Sequence, residues 1–301
     1  MNITIEDIVA LETLDARIRT ILPEQYQDVY EDVQPVPMRS AGLKYDNDGR
    51  VAWNEIWATF CDLAMAGGPP HRGMLLEPAS GESISAQPDR YHAAAAEIAR
   101  GVSLVTGLPT KGGTPGWVEV RCRTGGMAGW LARAIVMENV LASHDSEILM
   151  LPAGPDFRLE KEIKNVITAT AKTNHYWSGH IPEGQQSAIA SVFRDEKLLE
   201  PLRRQFAESN PDGYRHLVST IQTGISDRLG MVCFPHRYVG WIGVECVGVH
   251  AAIWMMRAMV VENILARREG NVLFLPVQPE ADRLLQTFER VHRLHALATR
   301  K

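Results

Sequence analysis

The sequence lacks clusters of basic residues, and this absence argues against a protein that binds nucleic acids. Its 301 residues include 36 Asp and Glu against 31 Lys and Arg, which gives a formal net charge of −5. No run of Lys and Arg is longer than two residues, as in the pairs Arg203-Arg204 and Arg267-Arg268. A surface that binds nucleic acids normally shows a basic stripe or patch. We therefore expect a partner other than nucleic acid.

Cysteine is also scarce, and its spacing excludes two common kinds of site. The four cysteines stand at positions 61, 122, 233 and 246, and no two of them form a C-x-x-C pair. Neither a zinc ribbon nor a thioredoxin-like site is therefore indicated. The N-terminal segment MNITIEDIV is acidic, whereas a signal peptide begins with a basic region. We predict a cytoplasmic protein with reduced thiols.

Long runs of purely apolar residues are missing as well. The most apolar stretch, residues 239–261, still contains Glu245, His250 and Arg257. It is better interpreted as a buried strand followed by a buried helix than as a membrane span. We expect no association with a membrane.

The motifs that usually name a reaction are absent too. The sequence contains no Walker A motif, no G-x-G-x-x-G, no nucleophile elbow and no H-E-x-x-H. The type of reaction, if there is one, must be inferred from less specific features.

An internal repeat is the most informative feature that is present. Residues 116–155 align without a gap onto residues 240–279, at a constant offset of 124, and seventeen of the 40 positions are identical. Upstream, the segment LLEP at 75–78 recurs at 198–201, at an offset of 123. Repeated sequence predicts repeated structure. We predict a tandem internal duplication of two similar units, related by a pseudo-two-fold axis.

Each repeat is predicted to have the element order α-β-α-β-β-α, so the fold class is α+β. The strand, helix and hairpin at its centre are similar, by element order alone, to one half of a ferredoxin-like fold. The segment KGGTPG before the first repeated strand is interpreted as a flexible loop. We divide the chain into an N-terminal arm at 1–50 and repeat units at 51–174 and 175–301.

The helix inside each repeat is predicted to end at Asn139 and at Asn263. Asn tolerates the left-handed conformation that closes a helix, so both residues should have a positive φ. Glu138 and Glu262 precede them, where a carboxylate meets the negative end of the helix dipole. We expect each Glu to form a salt bridge with the extended strap at the N-terminus or with the other unit.

The N-terminal arm contains an amphipathic helix and an extended strap. Thr4 and Asp7 have the spacing of a capping box, and Pro23 ends the helix. Its apolar residues recur at intervals of three and four, namely Ile8, Leu11, Leu14, Ile18 and Ile21. We expect the arm to dock on the duplicated body or on a second subunit, which would make a homodimer.

Two loops that are not repeated carry the first candidate site residues. The segment GGPPHRG at 67–73 holds His71, a predicted catalytic acid or base, and Arg72, a predicted anion clamp. The second copy has His236 and Arg237 before its repeated strand, and both are predicted to bind ligand. If the pseudo-dyad brought the four side chains together, they would suit a carboxylate or a phosphate. The alternative is that they are ordinary surface residues.

The segment TNHYWSGHIP at 173–182 is interpreted as the linker between the units. Here His175 is predicted to be catalytic, and Asn174 and Tyr176 to bind ligand, because ligand sites favour domain junctions. The alternative is a linker whose aromatic side chains pack into the core. His175 and His180 are five residues apart, a spacing that no standard helical metal motif uses, so we predict no metal site.

Cys122 and Arg121 end the first repeated strand. Cys122 is a candidate nucleophile, since Arg121 and Arg123 would lower the pKa of its thiol, and Arg121 is a candidate binding residue. The alternative is a core cysteine, because free cysteine is among the most buried residue types.

These residues support two hypotheses about function. The first is a cytoplasmic enzyme that acts on a small anionic metabolite at the junction of the repeats, with a cofactor that the sequence does not identify. The second is a non-catalytic protein that binds a metabolite or regulates assembly. Unequal loops on similar cores favour the first.

Overall fold

The structure is a computed structural model that describes residues 4–27, 42–56, 74–193, 197–234 and 238–299. His71, Arg72, His236 and Arg237 lie outside the described residues. The chain divides into two compact units. The continuous unit is Val33–Ala190, and the split unit combines Met1–Asp32 with Ser191–Lys301.

The continuous unit combines helices with one small sheet. Its described helices are α2 (Gly81–Ala86), α3 (Pro88–Thr106), α4 (Gly125–Met137), α5 (Lys164–Gly179) and α6 (Glu183–Val192), the last of which contains the division at 190/191. A π-helical turn, Leu159–Ile163, leads into α5. Its strands are β1 (Thr110–Gly112), β2 (Trp117–Arg121), β3 (Ser143–Asp145) and β4 (Ile148–Pro152).

The split unit has a corresponding set of elements. Its helices are α1 (Ile5–Ile21), α7 (Arg204–Ser209), α8 (Pro211–Leu229), α9 (Val249–Val261) and α10 (Ala281–Ala298). Its strands are β5 (Cys233–Phe234), β6 (Trp241–Glu245), β7 (Arg267–Glu269) and β8 (Val272–Pro276). Helices and antiparallel sheets occur together in both units, so the protein is α+β.

The two sheets have the same strand order. Both are four-stranded and antiparallel, with the orders β1-β2-β4-β3 and β5-β6-β8-β7. Their central registers also match, since Trp117 faces Pro152 and Trp241 faces Pro276. Helices α4 and α9 pack on these sheets and are buried along most of their length.

The predicted element order omits several elements, among them the short helices α2, α6 and α7 and the first strand of each sheet. β1 has three residues and overlaps the segment interpreted as a flexible loop, and β5 has two. Strands this short carry too little alternation of apolar and polar residues to be recognised. The main-chain pairing with β2 and β6 defines them, as in the pair Thr110 and Val120.

The predicted left-handed residues are confirmed. Asn139 has a φ of 60° and Asn263 a φ of 57°. Each follows the last turn of its helix, and each backbone carbonyl accepts a hydrogen bond from a leucine that opens the repeat: Leu76 at 2.9 Å and Leu199 at 2.8 Å. The left-handed turn thereby places the chain beside the LLEP segments.

Helix α1 begins with the predicted capping box. The backbone N–H of Asp7 donates to Thr4 Oγ1, and the backbone N–H of Thr4 donates to the Asp7 carboxylate, both at 3.2 Å. Leu14, Ile18 and Ile21 are buried, whereas Ile8 is exposed. The helix packs against α9 and α10 of its own unit. A homodimer through the arm stays a prediction.

Candidate functional site

The polar residues that the sequence analysis favoured occupy the second half of helix α5. Residues 173–179 are helical and do not form an irregular linker. The apolar side chains of α5 anchor the helix, since Val166 and Ile167 are buried and α5 packs on α3 and α4. We call Glu138, Lys172, Asn174, His175 and His180 the α5 cluster.

Lys172 and Glu138 form an ion pair at one end of the α5 cluster. Lys172 Nζ lies 3.0 Å from Glu138 Oε1, and only 5% of Lys172 is exposed. Lys172 Nζ also lies 5.4 Å from the centre of the Tyr176 ring. A buried ammonium group needs such compensation, because its removal from water is unfavourable. The predicted binding residue Tyr176 is therefore a buried neighbour of this cation.

Asn174 is the feature of the cluster that packing explains least. The residue is only 8% exposed, and its Oδ1 atom is buried without a hydrogen-bond partner among the described residues. A buried acceptor left without a donor costs about 1–3 kcal/mol. Such a group in a folded protein calls for an explanation, such as a water molecule or a ligand that donates to it.

His175 and His180 meet at the end of α5. Their Nε2 atoms are 3.1 Å apart, and the rings are nearly perpendicular, with an interplanar angle of 66°. Residues five apart do not share a helical face, but His180 is the C-cap and its backbone has left the helical conformation, with a φ of −129° and a ψ of −2°. This turn returns its ring to His175. Burial, and then the nearby His180, lower the pKa of His175.

The segment after α5 is fixed by one side chain. Gln186 Nε2 donates to the carbonyl of Trp177 at 3.1 Å and to that of Ile181 at 2.8 Å. Trp177 is buried and packs against Trp130 of α4, with ring centres 5.6 Å apart and the rings tilted by 45°. The turn that carries His180 is therefore held on both sides.

Cys122 lies in the core of the continuous unit. It is 3% exposed, and its backbone N–H donates to the carbonyl of Glu147 at 2.9 Å. Burial raises the pKa of its thiol to about 12. The shift is opposite to the one expected from Arg121 and Arg123. Arg121 is exposed and lies 3.9 Å from the Glu147 carboxylate.

The split unit also contains a buried cation, Arg267, which lies in strand β7. Arg267 is fully buried and pairs with Glu269 at 2.8 Å. Its guanidinium lies 4.0 Å from the ring centre of Phe274, 4.3 Å from that of Tyr238 and 5.2 Å from that of Trp241. Rings and a carboxylate surround this cation, so it stabilises the sheet and presents no open face to a ligand.

The repeated glutamates have the cationic partners that a helix C-terminus requires, but the partners differ from those expected. Glu138 pairs with Lys172 inside its own unit. Glu262 pairs with Arg17 of α1 at 2.6 Å and with Arg290 of α10. Arg17 also donates to the carbonyl of Val261. At Glu262 the cation from the N-terminal arm belongs to helix α1 and not to the expected strap.

The structure thus places three of the predicted site residues, Asn174, His175 and Tyr176, on consecutive positions of one helix, from which neighbouring side chains point in different directions. Sequence reasoning missed Lys172 as a site residue. The signal was present, because Lys172 falls among the buried positions of α5, where a charged residue requires a partner.

Comparisons with protein-family models, with curated proteins and with solved structures find no match to this chain. Within the described ranges, no helix is both long enough and apolar enough to cross a membrane. The same residues contain no group of three or more His, Cys, Asp or Glu side chains placed to hold a metal ion.

Proposed function

We propose that the protein is an enzyme that binds a small anionic molecule at the α5 cluster of the continuous unit. The observation that carries this proposal is the buried, unpartnered Oδ1 atom of Asn174, on the same end of helix α5 as the half-buried pair His175 and His180. A ligand that donates a hydrogen bond to this atom would remove its energetic cost. Sites that combine apolar walls with a few convergent polar groups are typical of small-molecule binding.

The chemistry of the cluster narrows the class of ligand. Asn174 Oδ1 requires an N–H or O–H donor, and the histidines offer donors to a carboxylate or a phosphate. Lys172 adds positive charge, although Glu138 neutralises it in the free protein. A small hydroxy or amino acid, or its phosphate ester, meets these requirements.

The proposed reaction does not use a cysteine. A thiol whose pKa is about 12 is ionised at roughly one part in 10⁵ at neutral pH. We therefore assign Cys122 a structural role in the core and assign the chemistry to the α5 cluster.

A binding screen with a matched pair of variants tests the proposal. The wild-type chain is titrated by calorimetry with hydroxy acids, amino acids and their phosphates, and so are Asn174→Leu and Asn165→Leu, which change the same residue type on the same helix. We expect Asn174→Leu to abolish binding without loss of stability, since it removes an unpaired polar group. Asn165→Leu should bind as the wild type does. Equal affinity in both variants would contradict the proposal.

The second candidate function is binding without catalysis, which the burial of the one predicted nucleophile favours. The two candidates differ in turnover. If a ligand found in the screen is recovered unchanged after long incubation with the protein, as followed by NMR, the non-catalytic function is supported.

We also propose that the two units arose by internal duplication, with the ferredoxin-like strand–helix–hairpin centre in each. Equivalent hydrogen bonds support this, because Gly116 donates to the Tyr91 hydroxyl at 2.9 Å and Gly240 to the Tyr214 hydroxyl at 2.8 Å. Equivalent side-chain pairs extend the relation to the last helix. There Trp130–Trp177 corresponds to Trp254–His295, and Glu138–Lys172 to Glu262–Arg290.

These pairs set the offset between the last helices at 118, against 124 in the preceding strands. The first copy therefore has six more residues before its last helix, in the segment of the π-helical turn. By this offset the counterparts of His175 and His180 are Arg293 and Ala298. The histidine pair belongs to one copy alone, as a specialised site would.

A further inference from the structure

Two ring nitrogens of the α5 cluster lie at a separation that suits a shared metal ion. The Nε2 atoms of His175 and His180 face each other at 3.1 Å. A zinc ion binds an imidazole nitrogen at about 2.0–2.1 Å, so two nitrogens at a tetrahedral angle are about 3.3 Å apart. The observed separation is close to that value, and a small rotation of one ring would reach it.

We propose that His175 and His180 together bind one divalent transition-metal ion, with zinc as the reference ion, through their Nε2 atoms. Imidazole nitrogen is a preferred ligand of zinc, copper and nickel. The two rings would fill two coordination positions and leave the remaining positions to water or to a ligand. An open coordination sphere of this kind distinguishes catalytic zinc from structural zinc.

The rings are held in place before any ion arrives. The backbone N–H of His180 donates to the carbonyl of Tyr176 at 2.9 Å, and the Tyr176 ring packs against the His180 ring, with centres 5.9 Å apart. Gln186 fixes the turn that follows. Both histidines are half-buried, so part of each residue remains exposed to solvent. Prior orientation of this kind lowers the entropic cost of binding.

This inference rests on the proposed function for its purpose, since the open positions of the ion would receive the anionic ligand. A carboxylate or phosphate of that ligand would then bind the ion at the end of α5.

The test is a calorimetric titration of the whole, metal-free chain with zinc sulfate. We expect one ion per chain to bind, and each of His175→Gln and His180→Gln to weaken binding at least about tenfold, because loss of a ligand costs no less than loss of an outer-shell partner. His216→Gln, at an exposed histidine of α8, is the control and should leave the titration unchanged. All four proteins carry the same cysteines, so any zinc held by thiols cancels in the comparison.

A second measurement on the wild type covers the case in which a variant does not fold. With ¹⁵N-labelled histidine, the Nε2 signals of two rings should shift together as zinc is added, up to one equivalent. Unchanged Nε2 signals, or equal zinc affinity in the two site variants and the wild type, would overturn the metal site. The calorimetric ligand screen, run both with and without zinc, tests the proposed function separately. Ligand binding that depends on Asn174 without any zinc binding would refute this inference alone.

Discussion

At the scale of single residues, the left-handed backbone conformations occur in the turns of the two repeats, where the chain requires a positive φ. Among the described residues, three that are not glycine have a positive φ: Asn139, Asn263 and Ser146. The two Asn residues were predictable, since Asn enters the left-handed region with little penalty. Ser146 was not, because serine gives no such signal. Its counterpart Gly270, with a φ of 58°, shows what this turn prefers.

The cost of the left-handed turn after α4 can be measured at Asn139. We expect Asn139→Ala to lower the free energy of unfolding by about 1 kcal/mol more than Asn139→Gly does, because alanine is strained at positive φ and glycine is not. Both variants lose the same side-chain contacts, so their difference isolates the backbone. Urea denaturation gives the comparison, and an alanine variant as stable as the glycine variant would show that φ contributes nothing.

At the scale of elements, two long helices in each unit pack closely together at a glycine. A Cβ atom added at Gly101 of α3 would clash with Ile167 of α5, and one added at Gly224 of α8 would clash with Leu285 of α10. Both glycines lie inside helices, where glycine is otherwise unfavourable by about 0.5–1 kcal/mol relative to alanine. Close approach of the helices is the physical reason for their presence.

Substitution of Gly101 therefore separates packing from helix propensity. We expect Gly101→Ala to destabilise the protein by about 1–3 kcal/mol through overpacking. The control is Gly184→Ala in α6, where nothing lies within 4 Å of the added atom. This change should stabilise by about 0.5–1 kcal/mol. Thermal denaturation of both variants provides the test, and opposite shifts in melting temperature are the expected result. A Gly101→Ala variant that melts above the wild type would refute the packing argument.

Most elements could be predicted from periodicity and caps, and the exceptions have physical causes. The long helices, the repeated strands and the α1 capping box all carry strong local signals. The strands β1 and β5 do not, since pairing with a neighbour defines them. The helical state of residues 173–179 was also missed, because an aromatic and polar composition suggested a linker. Contacts such as Trp130 with Trp177 stabilise that last stretch of α5.

At the scale of the whole molecule, the repeated glutamate pairs with a cation from a different element in each copy. Glu138 closes on Lys172 within the continuous unit, whereas Glu262 receives an arginine from α1. The sequence showed that Glu138 and Glu262 recur and that each needed a cation. It did not show which cation, because the partners are 34 and 245 residues away along the chain. Lys172 was missed as a site residue for the same reason, because its partner Glu138 is distant along the chain.

The last prediction concerns α1, which belongs to the split unit although the continuous unit separates it from the rest in sequence. Three buried apolar residues of α1 hold it there, together with the pairs Arg17–Glu262 and Asp7–Arg293, the latter at 3.2 Å. Burial of each apolar side chain contributes about 1.5–3 kcal/mol. We expect fragment 33–190 to fold alone and fragment 191–301 to be markedly less stable than in the full chain. A peptide of residues 1–32, added in trans, should restore much of that stability.

Circular dichroism melts of the two fragments, with and without the peptide, measure this directly. Arg17→Ala in the peptide should weaken the rescue, because it breaks the contacts with Glu262 and with the carbonyl of Val261. Glu12→Ala, at an exposed position of α1, should rescue as well as the unmodified peptide. If fragment 191–301 melts at the same temperature with and without the peptide, α1 adds nothing to the stability of the unit. The arginine on Glu262 would then be a surface contact whose contribution is close to zero, as is usual for exposed ion pairs.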